Sequence, residues 1–299
     1  MKQNPVLGLA FALPAILLIG IFLVYPTIQT VRFSFYDGVG LNLDQYEYVG
    51  LENYVNLFTR DNGFFNIDRF PPTGAVFNTI LWLVLYPVFT VSLGLLIAVM
   101  ANIVRYEVLV KTIIFVPMAI SFTAAGIIWR FVYSPDERTG ILNAVYTALS
   151  GQEPIPWLGR TDMVNFGIII AAVWLSTGFC MVVLSAALKS LPGEVLEAAR
   201  VDGANNWNTF WRIMVPMLWP TIVVVATTQI IGVLKAFDLV FIMTNGGPRG
   251  SSEIIGYTMY NETFQNGRAG YGMAVAVIML IVVLPFVYLN IKRFRIERQ

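Results

Sequence analysis

The stretch Glu194-Val-Leu-Glu197-Ala198-Ala199-Arg200-Val-Asp202-Gly203-Ala204, followed by Ile213-Met-Val-Pro216, is a polar interruption between two apolar runs, each long enough to cross a bilayer. Glu194 to Arg200 is rich in helix formers, and Gly203 can turn the chain before a second amphipathic segment with Trp207, Phe210 and Trp211. Ala198 and Ala199 are small, so a partner's surface can approach the backbone. Pro216 is expected to limit the segment where the chain re-enters the membrane. Two readings stand on these grounds: a docking surface for another protein, or an interfacial helix whose aromatics lie among lipid headgroups.

The rest of the chain explains why such a loop would be held between membrane helices. Of 299 residues, 57% are hydrophobic and 12% charged, an excess of apolar surface that needs a solvent other than water. Six runs of roughly 20 or more apolar residues can be drawn, each able to cross about 30 Å of hydrocarbon. They cover residues 6–31, 76–101, 112–132, 164–188, 218–243 and 270–291. Pro14, Pro87, Gly126 and Pro285 fall inside them, which membrane helices tolerate when neighbours satisfy the freed backbone groups. Pro117 marks the third run for a kink or a late start. The first run follows Lys2 but is longer than an export-signal core and lacks a small-x-small cleavage site before Tyr25-Pro26, so it reads as a membrane helix. The expected fold is all-α: a polytopic membrane protein with six transmembrane helices, one domain over residues 1–299, and a cytoplasmic loop at 189–217.

Six helices put both termini on one side. Residues 1–5, 102–111, 189–217 and 292–299 then share a face with ten basic residues: Lys2, Arg105, Lys111, Lys189, Arg200, Arg212, Lys292, Arg293, Arg295 and Arg298. The opposite segments are about twice as long yet hold fewer, among them Arg60, Arg69, Arg138 and Arg249, which places both termini in the cytoplasm. Residues 44–75, with Asp44, Glu47, Glu52, Asp61 and Asp68 among Tyr, Phe and Pro, read as a small ordered outer segment.

Enzymatic chemistry is mostly excluded. With no His, histidine acid–base catalysis and ordinary His-ligated metal sites are absent, and no metal site is expected. Cys180 is the one cysteine and sits in an apolar run, as a buried small hydrophobe would. No phosphate-binding G-x-x-x-x-G-K-[ST] loop occurs, and Gly246-Gly247-Pro248 reads as a turn, so no cofactor is expected in this chain and any ATP must be bound by a partner. A net charge of +1 offers little attraction for a nucleic-acid backbone.

Polar residues inside the runs are the remaining candidates. Lys235 and Asp238 lie three apart on one helical face, as a structural or gating pair. At about 100° per residue, Gly232, Val233 and Ala236 fall on the side of Gln229, whereas Asp238 projects nearly opposite. Gln229 therefore either lines a passage or makes an interhelical hydrogen bond. Trp174, Ser176 and Phe179 offer an aromatic and hydroxyl patch suited to sugar stacking, or ordinary membrane packing. On composition alone an ion-coupled secondary carrier and a non-translocating scaffold also stand.

Glu197-Ala198-Ala199-x-x-Asp202-Gly203-Ala204, nine residues to Ile213 and then x-x-Pro216, resembles the EAA signature of integral membrane subunits of binding-protein-dependent ABC importers, with Val215 where Leu is usual. Val49-Gly50-Leu51-Glu52-Asn53-Tyr54, and the stretch from Phe237-Asp238 to Thr244-Asn-Gly246-Gly247-Pro248, are similar to the MalF-type permease of carbohydrate ABC transporters. The resemblance covers nearly the whole chain.

It implies a type I importer permease in a prokaryotic inner membrane, surrounded by lipid. Its implied partners are a MalG-type sister permease, a dimer of cytoplasmic ATPase subunits carrying ATP and Mg, and an extracytoplasmic solute-binding protein that delivers sugar. Glu197, Ala198, Ala199, Asp202 and Gly203 would belong to a coupling helix seated on one ATPase subunit. Val233 and Ala236 stand where the maltose-type permease presents amides, so maltose is doubtful, and glucosides, other oligosaccharides and sugar derivatives remain open. Residues 32–75 and 133–163 would form the outer surface available to the binding protein.

Overall fold

The computed structural model describes residues 5–38, 40, 45–68 and 70–296, without the side chains of 5–10, 234, 235 and 289–296. Lys2, Asp44, Arg69 and Arg298 lie outside the described residues, as do the side chains of Lys235, Lys292, Arg293 and Arg295. The pairing of Lys235 with Asp238 therefore falls outside it too.

Long apolar runs with few breakers become long helices. α1 (Pro5–Ile19) continues through a π-helical turn at Gly20–Val24 into α2 (Tyr25–Phe33). A hairpin of β1 (Tyr36–Asp37) antiparallel to β2 (Glu47–Tyr48) and the short α3 (Glu52–Thr59) follow. Next come α4 (Ala75–Ile103), α5 (Glu107–Phe115), α6 (Phe122–Val132), α7 (Ile141–Ser150) and α8 (Val164–Lys189). α9 (Gly193–Val201) and α10 (Asn206–Thr209) make the polar interruption, and α11 (Val215–Gly232) with α12 (Phe237–Thr244) the fifth run. α13 (Ile255–Tyr260) and α14 (Ala269–Ile296) complete the order. Among the described residues five helices are long and apolar enough to cross a membrane: Phe11–Phe33, Ala75–Ile103, Val164–Lys189, Asn206–Gly232 and Ala269–Tyr288.

The third run departs from a single straight span. Glu107–Ala119 and Phe122–Val132 meet at 102°, making a sixth crossing only if the two arms count as one. Pro117 sits in a 3-10 turn, Val116–Ala119, but the break comes after it. Ile120 and Ser121 are extended, and the Ser121 side chain accepts from Ala124 N–H at 3.2 Å, capping α6 as a fresh helix.

Pro216 also behaves differently from expectation. It does not limit the segment: Asn206–Gly232 is one helix of 27 residues. The π-helical turn Phe210–Met214 absorbs the proline, because Val215 N–H bonds to Phe210 O, five residues back, just before the residue that has no N–H. Gly20–Val24 does the same ahead of Tyr25-Pro26, where Tyr25 N–H bonds to Gly20 O. A proline ring clashes with the carbonyl four residues back, and the wider turn moves that carbonyl out of the way.

α4 and α8 form the centre. In lipid, helices gain little from apolar burial against each other, so small residues that let backbones approach do much of the packing. A Cβ on Gly94 would lie 2.5 Å from Cys180 Cβ, and one on Gly178 would lie 2.7 Å from Ile114 O. One cluster joins Trp82, Tyr86, Ile168, Val173, Val233 and Ala236, and a second joins Leu95, Cys180, Met181, Leu184, Leu218 and Val225. α3 and the loop after it pack on α13 and α14 as a small layer in which Leu57, Phe64, Ile255 and Tyr271 share a third cluster. No residue of Phe11–Phe33 is buried, so this helix is peripheral.

Candidate functional site

The polar interruption is built from backbone devices. Glu194 lies in the first turn of α9 and Arg200 in the last, each opposing the partial charge of its helix end. Gly203 ends the helix at φ +80°, with its N–H on Arg200 O at 3.1 Å, while Ala204 N–H reaches Ala199 O at 2.9 Å. This paired closure is a Schellman motif, and it requires a left-handed residue at Gly203. Nothing lies within 4 Å of a Cβ built there, so the requirement is for backbone conformation rather than space. Asn205 then caps α10, accepting from Asn208 N–H at 2.8 Å.

Glu197, Ala198, Asp202 and Gly203 are exposed, whereas Ala199 is buried, so of the two small residues Ala198 is the one on the outer surface. Val201, Trp207 and Trp211 are also exposed, at 87%, 69% and 50%, a concentration of apolar surface on a polar loop. Behind α9 a cavity of about 400 Å³ separates Leu196 and Arg200 from Asn102 and Leu188 at the ends of α4 and α8. Beside it Glu107 is bonded to Lys111, and to Lys189 at 2.5 Å, while Lys111 also donates to Ser185 and to Asn102 at 3.0 Å. This cluster ties α4, α5 and α8 immediately before the chain enters the loop. The sequence reading did not single out Glu107, although an acidic residue four before Lys111 at a helix start was visible.

The intramembrane candidates divide. Gln229 is buried and meets the Tyr86 hydroxyl at 2.8 Å, which in turn lies 2.7 Å from Ser176 Oγ. Gln229 Nε2 donates to Cys180 Sγ at 3.1 Å. Ser176 and Gln229 thus come together through Tyr86, a residue the sequence reading missed because a tyrosine in an apolar run signals packing equally well. Val233 and Ala236 are buried on the same side and Gly232 is half-buried. Trp174, partly buried, sits edge-on to Trp129 at 5.8 Å, and Phe179 is partly buried in the second cluster. Asp238 is elsewhere, half-buried at a cavity of about 290 Å³ with Phe122, Phe237 and Tyr260. A 3-10 turn, Val233–Ala236, stands between Gln229 and Asp238, so a uniform 100° per residue does not apply between them.

At the opposite end from α9, the turn after α12 is clamped to α4 and α8. Asn78 Nδ2 donates to Ser251 O and Glu253 O at 2.9 and 2.8 Å, and Asn165 Nδ2 to Ser251 O at 2.8 Å. Ser252 Oγ donates to Gly247 O at 2.6 Å, and a Cβ on Gly246, at φ +78°, would lie 2.6 Å from the Tyr257 ring. Gly246-Gly247-Pro248 is therefore a fixed turn, bordering an open cleft of about 760 Å³ with Arg130, Tyr133 and Thr139. Burial and the nearby Asp61 charge push the Glu253 carboxyl up to about 7.

The chain matches the family described as binding-protein-dependent transport system inner membrane component over residues 90–295. It is 46% identical to the osmoprotective compounds uptake permease protein GgtC of Synechocystis sp. over 97% of this chain and 99% of that protein. It is 40% identical to the alpha-glucoside transport system permease protein AglF of Rhizobium meliloti over 94% of this chain and 80% of that protein. Among solved structures, a chain of a bacterial alginate ABC transporter in complex with its alginate pentasaccharide-bound periplasmic protein superposes with TM-score 0.78 at 26% identity, covering 95% and 92% of the two chains. With the family match spanning most of its length and close relatives covering almost all of it, the chain belongs to the binding-protein-dependent transport system inner membrane components, the permease subunits of ABC importers.

Proposed function

We propose that this permease forms one half of the translocation pathway of an ATP-driven importer of sugars or glycosides, and that α9 is the element through which a separate ATPase subunit drives it. The observation that carries the reading is an exposed helix bearing Glu197, Ala198, Asp202 and Gly203, closed by a Schellman turn and flanked by exposed Val201, Trp207 and Trp211. A helix presented this way suits a rigid contact with another protein. A relative named for alpha-glucoside transport supports a glycoside as the cargo, and one named for osmoprotective compounds keeps other small solutes in view.

In this reading both termini and α9 face the cytoplasm, an ATPase dimer holding ATP and Mg sits below, and a sister permease completes the pathway. A solute-binding protein docks on the outer face, near the clamped turn at Gly246-Gly247-Pro248; the alginate system with its periplasmic protein supports that partner. Ser176, Gln229 and Gly232 offer substrate contacts, Trp174 and Phe179 an aromatic wall, and Val233 and Ala236 apolar surface. Asp238 lies at a different cavity and acts in packing or gating. ATP-driven closure of the partner pushes α9 and reopens the pathway outward; hydrolysis restores the inward-facing state. An ion-coupled carrier is not favoured, since the chain belongs to a binding-protein-dependent transport family with relatives named as ABC transporter permeases.

Co-purification with the sister permease, ATPase and binding protein, followed by sugar uptake in vesicles, tests this. Uptake that needs all four components and ATP is expected. Uptake that persists without the ATPase would overturn the proposal.

A further inference from the structure

We infer that Tyr86 and Cys180 form a lock that keeps Gln229 and Ser176 bonded to the protein between transport events, and that a substrate's hydroxyls must displace it. The inference rests on the reading that Gln229 and Ser176 meet the cargo.

The Tyr86 hydroxyl carries one proton but lies within hydrogen-bond distance of two partners, Gln229 Oε1 at 2.8 Å and Ser176 Oγ at 2.7 Å. In both approaches the tyrosine is the donor, so its one proton is shared between two acceptors and fully satisfies only one of them at a time. Tyr86 therefore offers one donor to two acceptors where three helices meet, α4, α8 and α11. A sugar carries several hydroxyls and can donate to Gln229 Oε1 and Ser176 Oγ together, which the single tyrosine proton cannot. In a membrane interior, polar groups left without partners are costly, so the pathway must satisfy Gln229 and Ser176 in the empty state as well as in the loaded one.

The geometry also supplies a weak link and a place to move. The other hold on Gln229 is a thiol, a weak acceptor, at 3.1 Å from Nε2. Gln229 lies one turn before the change from α-helix to the 3-10 turn Val233–Ala236, and Val233 N–H is shared among the carbonyls of Gln229, Ile230 and Ile231. Such a junction changes its turn more readily than a regular helix. Gly232 leaves room beside the pair: a Cβ there would stand 3.7 Å from the Tyr86 hydroxyl and 3.9 Å from Gln229 Oε1.

The test uses the complete complex reconstituted in vesicles, with whichever of radiolabelled sucrose, trehalose or maltose the wild type takes up fastest. Tyr86→Phe keeps the ring against Trp82 and removes the lock, so the apparent KM is expected to fall about two- to tenfold, the worth of one hydrogen bond, with no gain in maximal rate. Cys180→Ser strengthens the acceptor and should raise KM, whereas Cys180→Ala should lower it. Opposite signs at one position separate a lock from packing, which would move both the same way; the same direction in both variants overturns the inference. Unchanged KM in Tyr86→Phe with altered KM in Gln229→Ala overturns the lock and leaves the substrate contact standing. Unchanged kinetics in both overturn both.

Discussion

The α9 loop and the centre of the bundle are held together by different means. At α9 the backbone carries the structure: a left-handed Gly203, an Asn205 cap and a π-helical turn before Pro216, while Val201, Trp207 and Trp211 face outward. Around Gln229 the side chains carry it: Gly94 lies against Cys180, and Tyr86 joins three helices through its hydroxyl. In the proposed function, a surface that docks against a moving partner takes its shape mainly from its backbone. In the same proposal, a core that parts and closes relies on contacts that can be exchanged.

That contrast makes damage at the centre a matter of stability and damage at α9 a matter of coupling. The largest effect is expected from Gly94→Val, whose Cβ would collide with Cys180 at 2.5 Å. It should cost about 3 kcal/mol and lower the Tm of the purified complex, measured by thermal unfolding in detergent. A normal Tm would mean that α4 and α8 can slide apart freely.

Gly203→Val comes next. A β-branched residue at φ +80° strains the turn by about 1–2 kcal/mol but clashes with nothing, so insertion should survive. Uptake should drop about tenfold while ATP hydrolysis persists, a ratio read by assaying both in the same vesicles. Glu197→Ala should change the ratio in the same direction by less. Coupled uptake at wild-type level in both variants would remove α9 from the mechanism.

Gln229→Leu deletes the acceptor beside Tyr86 without changing the bundle's outline. A stability loss of about 1 kcal/mol and an altered preference across a sugar panel are expected. Stability loss without any change in preference would make the residue purely structural and sharpen the contrast with α9.

The smallest effect tests the clamp around Ser251 and Glu253. The folded pKa of Glu253 is raised from 4.5 to about 7, so its contribution to stability is fully present below pH 4.5 and is lost as pH rises through 7. Glu253→Gln should flatten this dependence, making the variant the more stable of the two at pH 8 by less than about 1 kcal/mol, since solvent screens a half-buried carboxylate. Parallel Tm profiles from pH 5 to 8 for both proteins would place the pH response elsewhere.

The long apolar runs were legible because 20 residues of hydrocarbon surface have few alternatives in water. The observed α8, Val164–Lys189, lies within a residue of the expected run, and α4 within two. The bend at Ile120–Ser121 was not legible: Pro117 announced trouble, but where a helix restarts depends on which later residue can cap it, and Ser121 does so with itself and Ile120 extended. Pro216 misled for a related reason, since a helix can widen by one residue to accommodate a proline when the flanking turns remain bonded.

At the candidate sites the division is the same. The sequence by itself determined a helical membrane protein and a polar loop with a glycine at its turn, because composition and local turn chemistry are local properties. Only the tertiary structure decided that Ala199 faces inward while Ala198 faces out, and that Tyr86, 143 residues before Gln229, is its partner. Hydrogen bonds between distant helices depend on how their axes meet, and that is set by the small residues where α4 and α8 touch, which the sequence lists but does not pair.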